Sequence, residues 1–480
     1  MFVGTGSDVG KSVINTAFCR IFLQDGYSPA PFKAQNMSLN SFVTKEGLEI
    51  GRAQAVQAEA CGLDCSVEMN PVLLKPTSYK VSQVVLHGKP VGNRSAFEYF
   101  NETDRDQLFG EAMSAYDKLA EAYNPIVIEG AGSISEINLW DRDITNMRVA
   151  METNASVYLV ADIDKGGVFA SVYGTMQLLP EDQRNQVKGI IINKFRGDIK
   201  LFEDGKKILE DLTGKPIVGI IPYFRDIFIE QEDSVVVENK LGVVQKGKIN
   251  IGIVLLKHMS NFTDFNILEQ TSGVHLFYTA DPDELDKVDI IIIPGSKNTI
   301  SDTEYLRKSG LARVILEHHQ NDRPVYGICG GFQIMGMEVR DPLNVEGQIE
   351  TMPGLGILPI ITTLNKEKRT EQVSFTFLDD KTESYGYEIH MGETVSENSN
   401  PLCHIKGKGN EGCFLNSKTW GTYIHGIFDN KNVIEYILHQ IDSKVEVTLN
   451  YYDFKNENYD KLAGLVRNNV DMDVIYNSLV

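Results

Sequence analysis

The feature that most constrains this chain is a glycine-rich loop at its beginning, Gly4-Thr5-Gly6-Ser7-Asp8-Val9-Gly10-Lys11-Ser12. Glycines accept backbone torsions that other residues avoid, so such a loop turns several N–H groups into one concavity. The run Val13–Leu23 that follows has helical periodicity, and the N-terminus of that helix adds its dipole to the concavity. A loop of this kind, between a strand and a helix, predicts an α/β fold with a parallel sheet. Gly6 and Gly10 shape the cradle, Lys11 supplies a charge for the β- and γ-phosphates, and Ser12 a hydroxyl for Mg²⁺. The usual G-x-x-x-x-G-K-S spacing would put a glycine at Thr5; here it stands at Gly4, so the loop is one residue longer. A dinucleotide fingerprint fails at Val9, and the Gly-Lys-Ser ending points to a nucleoside triphosphate, ATP. Only Met1–Val3 precede the loop, a short lead for the strand that delivers it.

The rest of the chain extends this architecture. Ile126–Glu129, Ser156–Ala161, Lys188–Asn193 and Pro216–Ile221 are apolar, β-branched runs separated by helical stretches, which predicts a parallel sheet covered on both faces. Between Glu230 and Lys248 the texture turns acidic and then Gly/Lys-rich, marking a boundary. A second α/β series follows, with strands at Ile249–Leu256, Asp289–Ile293 and Val325–Ile328 and helices near Asp264–Gln270, Thr303–His318 and Gly330–Met337. From about Glu371 the runs are short and strand-rich, and Tyr459–Leu479 forms an amphipathic closing helix. The expectation is therefore two α/β domains: a P-loop parallel-sheet domain over residues 1–240, and a flavodoxin-like domain over 249–480 that includes the closing helix.

Composition narrows the function classes. With 480 residues and a net charge of −20, the surface repels phosphate backbones, so nucleic acid is not an expected partner. No apolar run approaches the ~18 residues of a membrane span, so no membrane partner is expected either. Six cysteines are too few for a disulfide scaffold and suit a reducing cytoplasm. Cys61 and Cys65 lie four apart without a second ligand pair, which favours two ordinary cysteines over a metal site.

Several residues carry chemistry. Glu129, in Val127-Ile128-Glu129-Gly130-Ala131-Gly132, ends a strand beside the phosphate loop, where a hard-oxygen Mg²⁺ ligand belongs. Asp141 and Asp143 are acidic candidates near a substrate, and Asp164, in Asp162-Ile163-Asp164-Lys165-Gly166-Gly167, closes another strand. Asn193 follows the next one and is a candidate for contacting a nucleotide base. In the second series, Tyr326-Gly327-Ile328-Cys329-Gly330-Gly331 is a G-x-C-x-G between an apolar strand and a helix. Such an elbow exposes the central residue, and the helix N-terminus lowers the pKa of its thiol. Gly330 N–H and the turn at Gly295 would then serve as oxyanion donors. A thiolate nucleophile needs a proton carrier, and His425 follows a strand-like run about a hundred residues later, as in class I glutamine amidotransferases. Those enzymes carry a Glu two residues after the His. Ile427 occupies that position here, so the sequence predicts a Cys–His dyad, with His390 as the rival base.

The longer phosphate loop resembles that of the dethiobiotin synthetase superfamily. Lys33-Ala34-Gln35-Asn36-Met37-Ser38-Leu39-Asn40-Ser41, the run Glu49–Ala58 and Met69-Asn70-Pro71-Val72-Leu73-Leu74-Lys75-Pro76 closely resemble the cobyric acid synthases, and the resemblance spans nearly the whole chain. It implies ATP, Mg²⁺ held by Ser12 and Glu129, and further cofactor contacts at Lys33, Gln35 and Asn36. It also implies glutamine as nitrogen donor and a corrinoid acceptor, cobyrinic acid a,c-diamide, activated as an acyl phosphate. The related a,c-diamide-forming enzymes share the architecture, but the Gln35–Ser41 and Met69–Pro76 segments argue against them. A partner-binding ATPase with a vestigial amidotransferase is the alternative from another class; intact Cys329 and His425 argue against it.

Overall fold

The computed structural model describes residues 1–76, 81–95, 105–232, 240–396 and 400–479. The chain forms two compact units. One comprises Met1–Ser38, Glu49–Glu230 and Tyr452–Val480; the other comprises Leu39–Leu48 and Gln231–Tyr451.

In the first unit the strands Phe2–Gly4, Val157–Asp162, Val187–Phe195 and Ile217–Pro222 pair in that order, all parallel. Ala30–Phe32 pairs in parallel with Ile126–Ile128, and a parallel bridge from Phe2 to Glu129 joins that pair to the sheet. Phe2–Gly4 is thus flanked by strands that follow it in opposite winding directions. This is the switch point of a doubly wound sheet, where strand C-termini open a crevice. The helix Lys11–Gln24 packs on the sheet because Ile14, Phe18, Ile21 and Phe22 recur on one face and are all buried. A smaller sheet, Gln35–Met37, Val72–Pro76, Val81–Leu86 and Lys89–Ser95, completes the unit.

The closing segment departs from expectation in two ways. It forms two helices, Tyr451–Arg467 and Met472–Asn477, and from Tyr452 onward it belongs to the first unit. Tyr459, Leu462, Ala463, Val466, Val470 and Ile475 share a buried cluster with Phe2, Phe18, Phe22 and Tyr158. Its apolar face therefore completes the core beside the phosphate-loop helix. Amphipathicity showed that the segment buries a face, not which core receives it.

In the second unit Val274–Thr279, Ile249–Val254, Ile290–Ile293, Val325–Ile328 and Thr419–Thr422 form a parallel sheet in that order, and Cys413–Asn416 adds an antiparallel edge. In chain order the parallel strands read 2-1-3-4-5, the flavodoxin-like arrangement. The strand-rich region opens earlier than expected, with a long hairpin of Ile360–Phe377 and Glu383–Ser396. The expected boundary zone includes residues 233–239, which lie outside the described residues. Among the described residues no helix is long and apolar enough to cross a membrane.

Candidate functional site

The phosphate loop leaves the strand Phe2–Gly4 and turns into the helix at Gly10, whose φ of 98° lies in the left-handed region. A Cβ there would stand 2.1 Å from Asn193 Nδ2, so both torsion and space require glycine. Asn193 donates to the Val9 carbonyl at 2.8 Å, which makes it a brace beneath the loop. Lys11 Nζ donates to the carbonyls of Gly6 (2.9 Å) and Gly132 (2.8 Å), tying the loop to the turn that follows Glu129.

Glu129 is 1% exposed. Its Oε1 accepts from Ser12 Oγ (2.8 Å) and Lys33 Nζ (2.7 Å), and its Oε2 from Gln57 Nε2 (2.6 Å). Burial works against ionisation, but the Lys33 ammonium and these hydrogen bonds hold the carboxyl below its ordinary range. The donor set fits a hard cation: the Ser12 hydroxyl adjoins the carboxylate, and the buried Gln57 Oε1 has no hydrogen-bond partner. Mg²⁺ takes one or two protein oxygens of this kind and completes its shell with phosphate and water. The structure thus brings Lys11, Ser12, Lys33 and Glu129 together around the loop.

Of the remaining candidates of this unit, Asn36, Asp143 and Asp164 have structural partners. Asn36 is buried and donates to Gln54 Oε1 at 3.0 Å; Gln35 begins the strand Gln35–Met37 and is half-buried. Asp143 accepts from Thr145 Oγ1 (2.7 Å) and from the backbone N–H of Thr145 and Asn146, while Asn146 exchanges hydrogen bonds with the backbone of Ala131. Asp143 therefore steadies the glycine turn after Glu129. Asp164 pairs with Arg196, whose guanidinium lies over Tyr223. Asp141 is solvent-exposed.

In the second unit the elbow forms at Cys329, between the strand Val325–Ile328 and the helix Gly330–Met335. Cys329 has φ 50° and ψ −107°, a strained conformation for a residue with a Cβ. Gly330 packs so closely that a Cβ would lie 2.6 Å from the Ser296 N–H nitrogen, and one on Gly295 would lie 3.3 Å from His425 Cε1. The backbone of Gly295–Ser296 and Gly330 therefore converges beside the thiol, as two oxyanion donors require.

His425 is 1% exposed, and its Nδ1 lies 2.7 Å from Asp264 Oδ2. Asp264, 3% exposed, also accepts from the Gly426 N–H at 3.0 Å. Contact with Asp264 engages Nδ1, which leaves Nε2 as the ring nitrogen available to a thiol. Burial disfavours the imidazolium, but the Asp264 carboxylate and the neighbouring Cys329 outweigh it and push the pKa up to about 10. The sequence predicts a Cys–His dyad; His425 has an acidic partner all the same, Asp264 on the turn Phe262–Phe265 rather than a residue two after the histidine. Ile427 is fully buried. An acidic residue opening the helix after the first strand of this unit is the signal that could have found Asp264. The rival base, His390, stacks on Tyr423 with centroids 3.7 Å apart. It lines a cavity of about 810 Å³ with Arg369, Glu388 and Glu411, and burial lowers its pKa.

Comparison with known proteins follows the same division. Residues 1–235 match a CobQ/CobB/MinD/ParA nucleotide binding domain. Residues 250–433 match a CobB/CobQ-like glutamine amidotransferase domain. A cobyric acid synthase of Bacteroides fragilis is 57% identical, covering 100% of this chain and 98% of the relative. One of Phocaeicola vulgatus is 56% identical over 99% and 97%, and one of Clostridium novyi 45% identical over 99% and 96%.

Proposed function

The chain belongs to the cobyric acid synthase family, and from that premise we propose that it amidates the b, d, e and g side-chain carboxylates of (adenosyl)cobyrinic acid a,c-diamide, using ATP and glutamine. One observation carries the reading: a buried His425–Asp264 pair in the unit of the Cys329 elbow, in a chain whose glycine-rich loop brings Lys11 and Ser12 beside Glu129.

A carboxylate is a poor electrophile because oxide would have to leave. Transfer of the γ-phosphoryl group makes an acyl phosphate and ADP, and ammonia then displaces phosphate to give the amide. Two anions must meet in the first step, so positive charge has to be supplied. Lys11 stands at the loop to neutralise phosphate oxygens, and Lys33 adds a second cation beside Glu129. Ser12 and Glu129 would hold Mg²⁺, which would supply charge neutralisation for the phosphates. Asn193 keeps the loop in shape, and Asp143 and Asn146 keep the turn behind it.

Ammonia arises at the other site. The Cys329 thiolate attacks the glutamine carboxamide, and the oxyanion is received by the N–H groups near Gly295 and Gly330. His425, held protonated against Asp264, gives its proton to the departing ammonia, leaving a glutamyl thioester. Water, deprotonated by His425, releases glutamate and restores the thiolate. With its pKa raised, His425 is held as the imidazolium and serves as the acid toward the departing ammonia.

The test is mass spectrometry of the a,c-diamide incubated with ATP, Mg²⁺ and glutamine. The expected result is a ladder of products, each exchanging one carboxyl hydroxyl for an amino group. An unchanged corrinoid with either nitrogen source would sink the proposal.

A further inference from the structure

The chain leaves the first unit after Ser38 and returns to it at Glu49; the residues between, Leu39–Leu48, fold with the second unit. Gln372 Nε2 donates to the Val43 carbonyl at 2.8 Å, and Thr370 Oγ1 to the Gly47 carbonyl at 2.6 Å. A Cβ on Gly47 would stand 2.8 Å from the Thr370 carbonyl oxygen, so the excursion is seated closely on the hairpin.

Its other contacts lead to each member of the Cys329–His425–Asp264 set. Asn40 Oδ1 accepts from the Phe262 N–H at 3.1 Å, and Asn261 Oδ1 from the Ser41 N–H at 3.3 Å. Asn261 and Phe262 open the turn that carries Asp264. The Tyr387 hydroxyl accepts from Asn261 Nδ2 at 3.2 Å and donates to the Ser41 carbonyl at 3.4 Å. Phe42 sets its ring edge-on to Tyr387, with centroids 4.9 Å apart. Tyr387 in turn stacks on the His425 imidazole, with centroids 5.3 Å apart and planes 19° apart. Val43, Tyr387 and Ile389 form a small buried cluster against Phe42, and the Ile389 carbonyl accepts from Cys329 Sγ at 3.7 Å.

We propose that Leu39–Leu48 is a positioning element of the glutaminase site, with Phe42 and Tyr387 as the residues through which it sets the orientation of His425. The proposal rests on the glutaminase reading above. A proton carrier displaced by a fraction of an ångström transfers poorly while substrate binding is little altered, so the effect belongs in kcat rather than KM. Lys33, which grips Glu129, and Phe42 ride on one continuous stretch of chain, so the glutaminase brace is delivered by the polypeptide of the phosphate site.

The experiment uses the full chain and measures glutamate release from glutamine alongside amidation supported by high ammonium. Phe42→Ala should lower kcat for glutamine hydrolysis about tenfold with KM within about twofold, and leave ammonium-supported amidation at its wild-type rate. Phe42→Tyr keeps the ring and should restore kcat. Tyr387→Phe keeps the stack but loses the Ser41 and Asn261 anchors, and should fall between. Wild-type kcat in Phe42→Ala overturns the proposal; so does a loss in KM alone, or an equal loss from both nitrogen sources. If the wild-type chain amidates with ammonium but releases no glutamate, the glutaminase reading itself fails and this inference falls with it.

Discussion

Glu129 and Asp264 are both almost fully buried carboxylates, yet each is neutralised by a different kind of partner. Glu129 meets the fixed charge of Lys33 and two neutral donors, Ser12 and Gln57. The Lys33 ammonium and these donors hold its carboxyl below the ordinary range, which suits the proposed Mg²⁺–ATP site. Asp264 meets an imidazole and one backbone N–H. Its charge is passed on, since it appears as the raised pKa of His425. A lysine makes a buried carboxylate into a permanent feature of a pocket, whereas a histidine makes it into a lever on a nucleophile.

Four variants and one pH profile would break or sharpen that contrast. The largest effect is expected at Cys329: Cys329→Ala should cost glutamine-dependent amidation about 10³-fold or more while high ammonium still supports synthesis. Loss of both routes in a folded variant would place the cysteine in the synthetase step and erase the division between the sites. Lys11→Ala should reduce both routes by about 10²-fold or more, because it removes a charge contact to the transferring phosphoryl group; near-normal turnover would remove Lys11 from the mechanism. For the lever, Asp264→Asn should lower kcat of glutamine hydrolysis by about 10- to 10²-fold, by loss of the imidazolium's partner, and spare the ammonium route. An unaffected kcat would return the site to a dyad. Glu129→Gln keeps the shape but loses the charge, so half-saturation by Mg²⁺ should rise about tenfold and excess Mg²⁺ should partly restore activity.

The smallest effect is on stability. The folded pKa of His425, about 10, lies above its ordinary value of 6.5. Its stabilising contribution is therefore complete below pH 6.5 and is lost as the pH rises toward 10. Thermal melting of the wild type should fall more steeply across that window than melting of Asp264→Asn; parallel slopes would mean that Asp264 does not set the histidine's charge.

Legibility differs between the sites for a physical reason. The strands expected at Ser156–Ala161, Lys188–Asn193 and Pro216–Ile221 form at Val157–Asp162, Val187–Phe195 and Ile217–Pro222, since runs of apolar β-branched residues encode a covered strand locally. The loop at Gly10 and the elbow at Cys329 were likewise readable, because a tight turn at a strand end demands small residues at adjacent positions. Asp143 was not readable as a structural brace: an acid near a glycine turn has the same sequence signature whether it meets substrate or caps a turn.

Legible from the residues alone were two α/β units, a nucleotide-binding loop with Lys11 and Ser12, a Glu129 at the neighbouring strand end, and a thiol elbow followed by His425. Each is written in consecutive residues whose torsions and periodicity are local properties. Tertiary structure alone decided that Asp264 completes the set with His425, a partner 161 residues away in the chain. It also decided that the closing helices complete the first core and that Leu39–Leu48 joins the second unit. These depend on which surfaces meet after folding: no spacing rule links residues brought together by packing, and an amphipathic face or a short strand carries no address for the core that will receive it.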